Sequence, residues 1–394
     1  MSRRRRLLSI SHSYCVGLNR RLPDEIARVG DWDVTAVAPS RFHGDFGWHT
    51  LEVRPGEVCR VEGVPVHCSR RVHVMTYGAR LRSLLREPWD VVHCWEEPYV
   101  AAAAQVAAWT PARVPLVFAT FQNISKKYPP PFGWFERYAL RRASGVVAFG
   151  ATALEVLRER QRGALATGHR SRNAEAQLRM IPPGVDVDHF KPVGAERLRI
   201  RRALAWDGDV PVIGFLGRFV PEKGLATLTS ALDRIDVPWR ALFVGSGPAE
   251  RTLRSWAARY GHRVAVATNV GHDDVAAYLN AMDVLCAPSE TTSRWREQFG
   301  RMLIEAFACG VPVIASDSGE IPYVVADAGI VVGEADAEGW RREIARVIGD
   351  AALRTRLSAA GRRRALDVYD WKIVARQHLD LFDTLSGQAA PAWA

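Results

Sequence analysis

Residues 297–316 read EQFGRMLIEAFACGVPVIAS and place Glu297 and Glu305 eight positions apart. Between these carboxylates the apolar residues recur at a period of about 3.6, which predicts a helix over residues 301–309. Gly310 fits the left-handed residue that ends such a helix, and the proline at 312 prevents the helix from continuing. Residues 311–315 are then typical of a short buried strand. The stretch therefore predicts a loop, a helix and a strand in succession, as in an α/β fold.

The start of this helix is suited to binding an anion. Free backbone N–H groups at a helix N-terminus attract negative charge, and Glu297, Phe299 and Gly300 precede or open the helix. With Glu305 two turns further along, the stretch suits a ligand that has hydroxyls at both ends and phosphates between them. The alternative is an ordinary amphipathic helix with two solvated glutamates, which the spacing alone does not exclude.

Length and composition indicate a globular protein of two domains. The chain has 394 residues, of which 48% are apolar and 24% charged. We place the domains at residues 1–186 and 187–370, and we expect a C-terminal helix at 371–394 to return to the first domain. No apolar run approaches the ~18 residues that span a bilayer. The apolar stretch after Arg3–Arg6 is too short for a secretory signal, which favours a cytoplasmic protein.

The net charge of +10 indicates anionic partners. We expect no nucleic-acid partner, because the chain has no helix-turn-helix, zinc-finger or RNA-binding motif. The Arg3–Arg6 cluster is typical of a solvated surface, with peripheral association with an anionic membrane as the alternative. The six cysteines lack metal-ligand spacing and indicate buried thiols in a reducing compartment.

Continuous apolar strands alternate with helices through the first half, and the predicted strands are residues 7–10, 34–38, 90–94, 116–120 and 145–149. Such strands are buried on both faces, which predicts a parallel sheet between helix layers. Ligands bind beyond the carboxyl ends of parallel strands. This rule places Gly17, Glu96–Pro98 and Gln122–Asn123 around one crevice.

The second half repeats the pattern, with predicted strands at 211–216, 240–244, 264–267, 284–287 and 328–332. A glycine-rich loop after the first of these contains Gly217, Arg218 and Lys223. A guanidinium and an ammonium there suit a diphosphate, although solvated surface charges on a turn are the alternative. Gly245 begins a second glycine turn, which is weak evidence by itself. We expect the site in a cleft between the two halves.

Together these motifs resemble the retaining glycosyltransferases of family 4, which have the GT-B fold, and in particular the bacterial group 1 glycosyltransferases. The resemblance covers nearly the whole chain, and its most specific part is the E-x7-E pattern from Glu297 to Glu305. Supporting motifs follow the family order: IPPGVD at 181–186, GRFVPEKGL at 217–225, VGSGP at 244–248 and APS at 287–289. The resemblance implies two Rossmann-like doubly wound parallel-sheet domains that face a central cleft.

The resemblance also implies a role for each matched residue. Arg218 and Lys223 would hold the donor diphosphate and stabilise charge on the leaving group, while Glu297 would hold hydroxyls of the transferred sugar. Glu305 would accept hydrogen bonds from the ribose diol. The other donor-binding residues implied are Gly17, Gly217, Gly245, Gln298, Phe299 and Gly300.

One position departs from the family pattern. Many relatives have a histidine after the strand that corresponds to residues 116–120, whereas this chain has Gln122 and then Asn123. Glutamine can position a sugar by hydrogen bonds but cannot transfer a proton, so we expect a positioning role and no protic role at this position. Gln122, Asn123 and Glu97 are candidate contacts to the sugar or the acceptor. The alternative for Glu97 is a carboxylate favoured by a helix N-terminus.

We expect neither a metal nor a cofactor. Three pairs match the D-x-D pattern of metal-dependent glycosyltransferases, but none is placed like a metal site: Asp31 with Asp33, Asp186 with Asp188, and Asp207 with Asp209. The family scheme uses arginine, lysine and helix ends in place of Mg²⁺. Retention without a covalent intermediate needs no protein nucleophile, since the leaving phosphate can accept the acceptor's proton.

The sequence therefore predicts a retaining glycosyltransferase that moves a sugar from a UDP- or GDP-sugar to a lipid, glycan or small-molecule acceptor. One alternative is a nucleotide-sugar epimerase of the same fold, and another is a non-catalytic nucleotide-sugar-binding protein. The basic N-terminus and the loop at residues 126–132 are candidate contacts to the inner face of a membrane.

Overall fold

The computed structural model describes residues 3–44, 47–166, 177–206 and 208–387. The chain divides into two compact units. The first unit contains the chain up to Pro182 together with the segment from Trp371 onward, and the second contains Pro183–Asp370. The division therefore falls after Pro182 and not after residue 186, and the C-terminal helix belongs to the first unit.

The elements alternate along the chain. The described strands are β1 (Arg5–Ile10), β2 (Trp32–Pro39), β3 (Arg41–Gly44), β4 (Gly47–Thr50), β5 (Arg60–Val64), β6 (Val66–His67), β7 (Thr76–Tyr77), β8 (Val91–Cys94), β9 (Leu116–Thr120), β10 (Gly145–Ala148), β11 (Gln177–Met180), β12 (Val212–Leu216), β13 (Arg240–Val244), β14 (Val264–Ala267), β15 (Val284–Ala287), β16 (Val313–Ser316) and β17 (Ile330–Val332). The described α-helices are α1 (Arg21–Val29), α2 (Ala79–Leu85), α3 (Ala101–Trp109), α4 (Phe132–Arg142), α5 (Ala151–Ala166), α6 (Gly194–Ala203), α7 (Leu225–Leu232), α8 (Glu250–Ala257), α9 (Val275–Asn280), α10 (Arg301–Ala308), α11 (Ile321–Val325), α12 (Ala337–Gly349), α13 (Ala351–Arg364) and α14 (Trp371–Leu385).

The first unit is built on a parallel sheet of order β11-β10-β9-β8-β1-β2-β5. Its central strands are continuous apolar runs because helices cover both faces, which confirms the predicted doubly wound sheet. Leu7 of β1, for example, lies opposite Val34 of β2 and Val91 of β8. Helix α14 packs against α1 and β2, where the Phe382 and Trp32 rings lie 6.1 Å apart.

The second unit has a parallel sheet of order β14-β13-β12-β15-β16-β17. Because β12 lies between β13 and β15, the loops that follow these three strands meet at the carboxyl edge of the sheet. The helix predicted from residue 301 is α10, and Gly310 ends it with a φ of +67°. The carboxyl edge of this sheet therefore gathers the glycine-rich loops and the start of α10.

Residues 41–77 contain strands that the sequence did not predict. β5 extends the first sheet beside β2, while β3 pairs with β4 and β6 with β7 in separate antiparallel ribbons. Their side chains are mostly half-buried or exposed, so no continuous apolar run marks them. Helix α5 extends to Ala166, and β11 begins at Gln177. The intervening residues 167–176 lie outside the described ranges.

The cysteines are free thiols, and five of the six are buried. Cys68 is exposed, so the expectation of six buried thiols was wrong at this position. It lies in the irregular segment between β6 and the short β7, where no apolar strand covers it. Across the described ranges, no helix combines the length and the apolar composition needed to cross a membrane.

Candidate functional site

Lys223 and Glu297 meet at the carboxyl edge of the second sheet. Lys223 lies in the loop after β12 and Glu297 follows the neighbouring strand β15, and the Lys223 ammonium forms an ion pair with Glu297 Oε2. Ser289, just beyond β15, donates its hydroxyl to the same carboxylate oxygen at 2.8 Å. The Trp295 ring lies 5.1 Å from the Lys223 ammonium. Both charges are largely buried, so each depends on the other for neutralisation.

The loops after β12 and β13 cross so closely that a side chain does not fit between them. A Cβ at Gly245 would lie 1.9 Å from the carbonyl oxygen of Gly217. The Phe219 N–H donates to Ser246 O at 2.8 Å and links the two loops a few residues further on. These contacts place Gly217 and Gly245 as adjacent backbone at the strand ends, where a ligand can approach peptide groups directly.

Glu305 lies on the buried side of α10. Its side chain is 9% exposed, and its ion-pair partner Arg301, one helical turn earlier, is half exposed at 3.7 Å. Burial raises the pKa of Glu305, and the Arg301 charge opposes that rise. This weakly paired carboxylate can accept hydrogen bonds from a diol. Gly300 caps the helix N-terminus in a left-handed conformation with a φ of +80°.

Three other predicted donor-binding residues have different environments. The Arg218 side chain is exposed and makes no ion pair or hydrogen bond with the described residues. Gln298 is also exposed, whereas Phe299 is buried with its ring 5.9 Å from that of Tyr369. Arg218 and Gln298 are therefore accessible to a ligand, while Phe299 anchors the segment before α10.

Gly17 lies in the first unit, beyond β1. Its N–H donates to Glu52 Oε2 at 2.7 Å, and a Cβ there would lie 2.6 Å from the Arg54 side chain. The amide at this predicted donor-binding position thus donates to a carboxylate of the same unit.

Glu97 and Gln122 meet at the carboxyl end of β9. Glu97 accepts hydrogen bonds from the Thr120 hydroxyl at 2.6 Å and from the Phe121 N–H at 2.8 Å. Burial raises the pKa of Glu97 to about 7, although both hydrogen bonds oppose the rise. Gln122 donates its side-chain amide to the Tyr128 hydroxyl. Glu97 thus holds the turn that carries Gln122.

Asn123 is the next residue in this turn and is buried. Neither Glu97 nor its neighbour Glu96 caps α3, whose N-cap residue is Val100 without a side-chain hydrogen bond. Both carboxylates are engaged with other parts of the unit, Glu97 with Thr120 and Phe121 and Glu96 with His12 and Tyr77.

The D-x-D pairs have ordinary structural surroundings. Asp31 pairs with Arg4, and Asp186 Oδ1 accepts the backbone N–H groups of Asp188 and His189. Asp207 lies outside the described residues. Within the described ranges, no group of three His, Cys, Asp or Glu side chains could hold a metal ion.

Sequence reasoning assigned no role to Ser289 or Trp295, although both contact the Lys223–Glu297 pair. Ser289 belongs to the quoted APS motif directly after β15, and that position beyond a buried strand was the available signal. Trp295 lies in the polar stretch before Glu297, where the sequence pattern gives no signal. The second unit thus presents the Lys223–Glu297 ion pair, the buried carboxylate of Glu305 and closely packed backbone at one sheet edge. This combination suits a polyhydroxylated diphosphate.

Comparison with known proteins identifies relatives of this chain. Residues 196–364 match the family model described as glycosyl transferases group 1. Over 331 residues the chain is 32% identical to a GDP-mannose-dependent α-(1-6)-phosphatidylinositol monomannoside mannosyltransferase of Mycobacterium tuberculosis, covering 80% of each protein. The enzyme of the same name from Mycolicibacterium smegmatis is 35% identical over 206 residues, so in that match the chain spans about half of the relative's length, 54%.

A solved structure extends the likeness to the fold of the whole chain. Sucrose-phosphate synthase from Thermosynechococcus elongatus superposes with a TM-score of 0.70 at 23% identity, covering 97% of this chain and 99% of that one. This confirms the predicted GT-B architecture of two parallel-sheet domains. Nothing in the comparisons supports the epimerase alternative. The chain belongs to the group 1 glycosyltransferases.

Proposed function

We propose that this glycosyltransferase transfers mannose from GDP-mannose, with retention, to a phosphoinositol-containing lipid. The observation that carries the donor half is the Lys223–Glu297 ion pair, which lies at the same sheet edge as the buried Glu305. The names of the mycobacterial relatives support GDP-mannose as the first donor to test and a phosphatidylinositol mannoside as the first acceptor.

In the proposed reaction, the bond between the sugar C1 and the donor phosphate oxygen breaks. A bond from C1 to the acceptor hydroxyl oxygen forms on the same face, and the hydroxyl proton passes to the departing phosphate. Lys223 and Arg218 stabilise the charge that develops on that phosphate. As Lys223 turns to the diphosphate, Ser289 keeps its bond to Glu297, whose carboxylate then accepts sugar hydroxyls. Because these residues stabilise the negative charge on the leaving phosphate, the proposed scheme uses neither a metal nor a cofactor.

Thermal unfolding with nucleotides, followed by product analysis, tests this proposal. We expect GDP or GDP-mannose to raise Tm more than UDP, because a ligand that binds the native state stabilises it by mass action. Transfer should persist in EDTA and give the α-anomer. Failure of every nucleoside diphosphate to raise Tm would refute donor binding, a β-linked product would refute retention, and loss of activity that Mg²⁺ restores would refute metal independence.

The membrane half of the proposal rests on helix α4. Its exposed residues Trp134, Arg137, Tyr138 and Arg141 have the i, i+3, i+4, i+7 spacing of one helix face, and Trp134 is 59% exposed. Two aromatic rings beside two guanidinium groups suit the interface of an anionic membrane. The N-terminal cluster is a weaker candidate because each arginine is ion-paired: Arg3 with Asp90, Arg4 with Asp31, Arg5 with Asp383 and Arg6 with Glu87. We accordingly place the protein at the cytoplasmic face of a membrane.

Vesicle co-sedimentation tests this surface. The wild-type chain should bind vesicles with 30% anionic lipid more than neutral vesicles, and less so at high salt. Trp134→Ala/Tyr138→Ala should reduce binding, whereas Tyr323→Ala, which removes an exposed ring in the second unit, should not. Equal binding by the three proteins, or equal binding to both vesicle types, would refute the assignment.

A further inference from the structure

A cavity of about 500 Å³ lies within the first unit, beside the carboxyl end of β1. Four basic side chains contribute to its lining: His12, His43, His49 and Arg70. Among the described residues that line it there is no carboxylate, and the remaining polar contributors include Ser13 and Asn19. The cavity is of the size that encloses a small ligand. Its lining favours an anionic ligand that also bears hydroxyls.

His12 is held in place by a buried carboxylate. Glu96, which is 1% exposed, accepts the His12 N–H at 2.6 Å through one oxygen and contacts His12 Nδ1 at 2.5 Å through the other. The Tyr77 hydroxyl donates to Glu96 at 2.7 Å and fixes the carboxylate in turn. With Nδ1 occupied, Nε2 is the ring nitrogen that remains for a ligand in the cavity.

The same contact favours a positively charged His12. Burial lowers the pKa of His12, but the charge of Glu96 and its hydrogen bond outweigh burial, so the pKa is raised above its ordinary value. A protonated imidazole donates from both nitrogens. Glu96 therefore favours a form of His12 that presents an Nε2–H donor.

Arg70 adds a second cation at the cavity. It is exposed, and it forms no ion pair or side-chain hydrogen bond with the described residues. A guanidinium without an internal partner can form two parallel hydrogen bonds to a phosphate. Its neighbour Arg71 is also exposed but does not line the cavity.

We propose that this cavity binds the phosphate of a phosphorylated polyol, with Arg70 and His12 Nε2 contacting the phosphate oxygens. Ser13 and Asn19 supply groups for polyol hydroxyls. We identify this ligand as the sugar acceptor, and that identification rests on the proposed function. The anion-binding site itself is argued from the residues that line the cavity and does not depend on the proposed function. A lipid head group and a soluble polyol phosphate share this chemistry.

Calorimetric titration of the full chain tests the site, with myo-inositol 1-phosphate and myo-inositol as probes. The phosphorylated polyol should bind more tightly than myo-inositol. Arg70→Gln should raise its Kd about 10-fold or more, as expected for a lost charge-assisted hydrogen bond. Arg71→Gln removes the same charge one residue away and should leave Kd within about twofold. Equal Kd values for the two probes, or equal effects of the two substitutions, would overturn the proposal.

Two further measurements complete the test. One distinguishes a failure of the proposed donor site from a failure of the cavity site, and the other distinguishes a lipid head group from a soluble polyol phosphate. The GDP-induced rise in Tm, measured on the same variants, reports the donor site alone. Its absence alongside intact phosphate binding refutes the proposed donor, while its presence without a phosphate preference refutes this cavity site. Competition by phosphatidylinositol vesicles, but not by phosphatidylcholine vesicles, assigns the phosphate to a lipid head group. Binding without such competition assigns it to a soluble polyol phosphate.

Discussion

The ammonium of Lys223 and the carboxylate of Glu297 form a largely buried ion pair, although the two residues are 74 positions apart in the sequence. Ser289 donates to the same carboxylate oxygen at 2.8 Å. The pair links the loop after β12 to the segment before α10. A donor diphosphate and the sugar attached to it would therefore meet two groups that already fix each other's position.

Removal of one partner of this pair should destabilise the chain. Lys223→Ala leaves Glu297 largely buried without its cation, and we expect a cost of about 3 kcal/mol in the free energy of unfolding. Lys223→Ala/Glu297→Gln should recover part of that loss, because no unpaired charge remains. Urea unfolding of the wild type, both single variants and the double variant measures the coupling. Strict additivity of the two substitutions would contradict this account.

Substitution of Arg218 should lower catalysis without lowering stability. Arg218→Ala should lower kcat by ~10²–10³, the loss typical of one group that stabilises developing charge. Because the side chain is exposed and unpaired among the described residues, Tm should stay within about 2 °C of the wild type. Arg251→Ala, on the exposed side of α8, is the matched control and should affect neither quantity. Wild-type turnover in Arg218→Ala would remove this residue from the donor site.

Glu305 should recognise the ribose of the donor. Glu305→Gln should raise the donor Kd by about 10-fold, as expected for weaker hydrogen bonds to a diol. The wild type should also bind a 2′-deoxy nucleotide about 10-fold more weakly than the ribonucleotide, whereas Glu305→Gln should discriminate little between them. Calorimetric titration of both proteins with both nucleotides measures the four Kd values that this comparison needs. Equal discrimination by the two proteins would place the ribose elsewhere.

The backbone after β12 should tolerate no side chain at Gly224. A Cβ there would lie 1.7 Å from Pro288 O, and the residue has a left-handed φ of +66°. Gly224→Ala should therefore displace Lys223 and cost several kcal/mol of stability. Gly261→Ala controls for strain alone, because its φ is +55° and nothing lies within 4 Å of its Cβ. Similar losses in Tm for the two variants would show that the close approach to Pro288 is unimportant.

Two buried histidines should make the first unit sensitive to acid. The rings of His93 and His378 lie 5.6 Å apart, and burial lowers the pKa of both, that of His378 to about 4. Below pH ~6.5 the unfolded chain binds protons that the folded chain does not, so stability should fall as pH drops from 6.5 towards 4. The loss attributable to His378 is on the order of 3 kcal/mol.

Urea unfolding between pH 4 and pH 8 measures this dependence. We call the fall in the free energy of unfolding between pH 6.5 and pH 4 the acid limb. His378→Phe keeps an aromatic ring beside Trp95 and Phe382 and should make this limb less steep. His262→Gln changes an exposed histidine in the second unit and should leave the limb as steep as in the wild type. An unchanged acid limb in His378→Phe would contradict the assignment.

The amino-acid sequence by itself determined the α/β class and the family motif. The strands at 116–120, 240–244, 264–267 and 284–287 have the predicted bounds, because residues buried on both faces form unbroken apolar runs. The helix between Glu297 and Gly310 was also readable, since its start, period and stop are local properties. Residues 41–77 were not, because short, half-exposed strands leave no such pattern.

Only the tertiary structure decided which side chains meet. Lys223 reaches Glu297 because β12 and β15 are neighbours in the sheet, and strand order is not a local property of the chain. The contact between His12 and Glu96, 84 positions apart, depends in the same way on β1 lying beside β8. The sequence could name Glu297 and Lys223 as donor ligands, but their mutual neutralisation and the basic cavity around His12 arise from packing between distant segments.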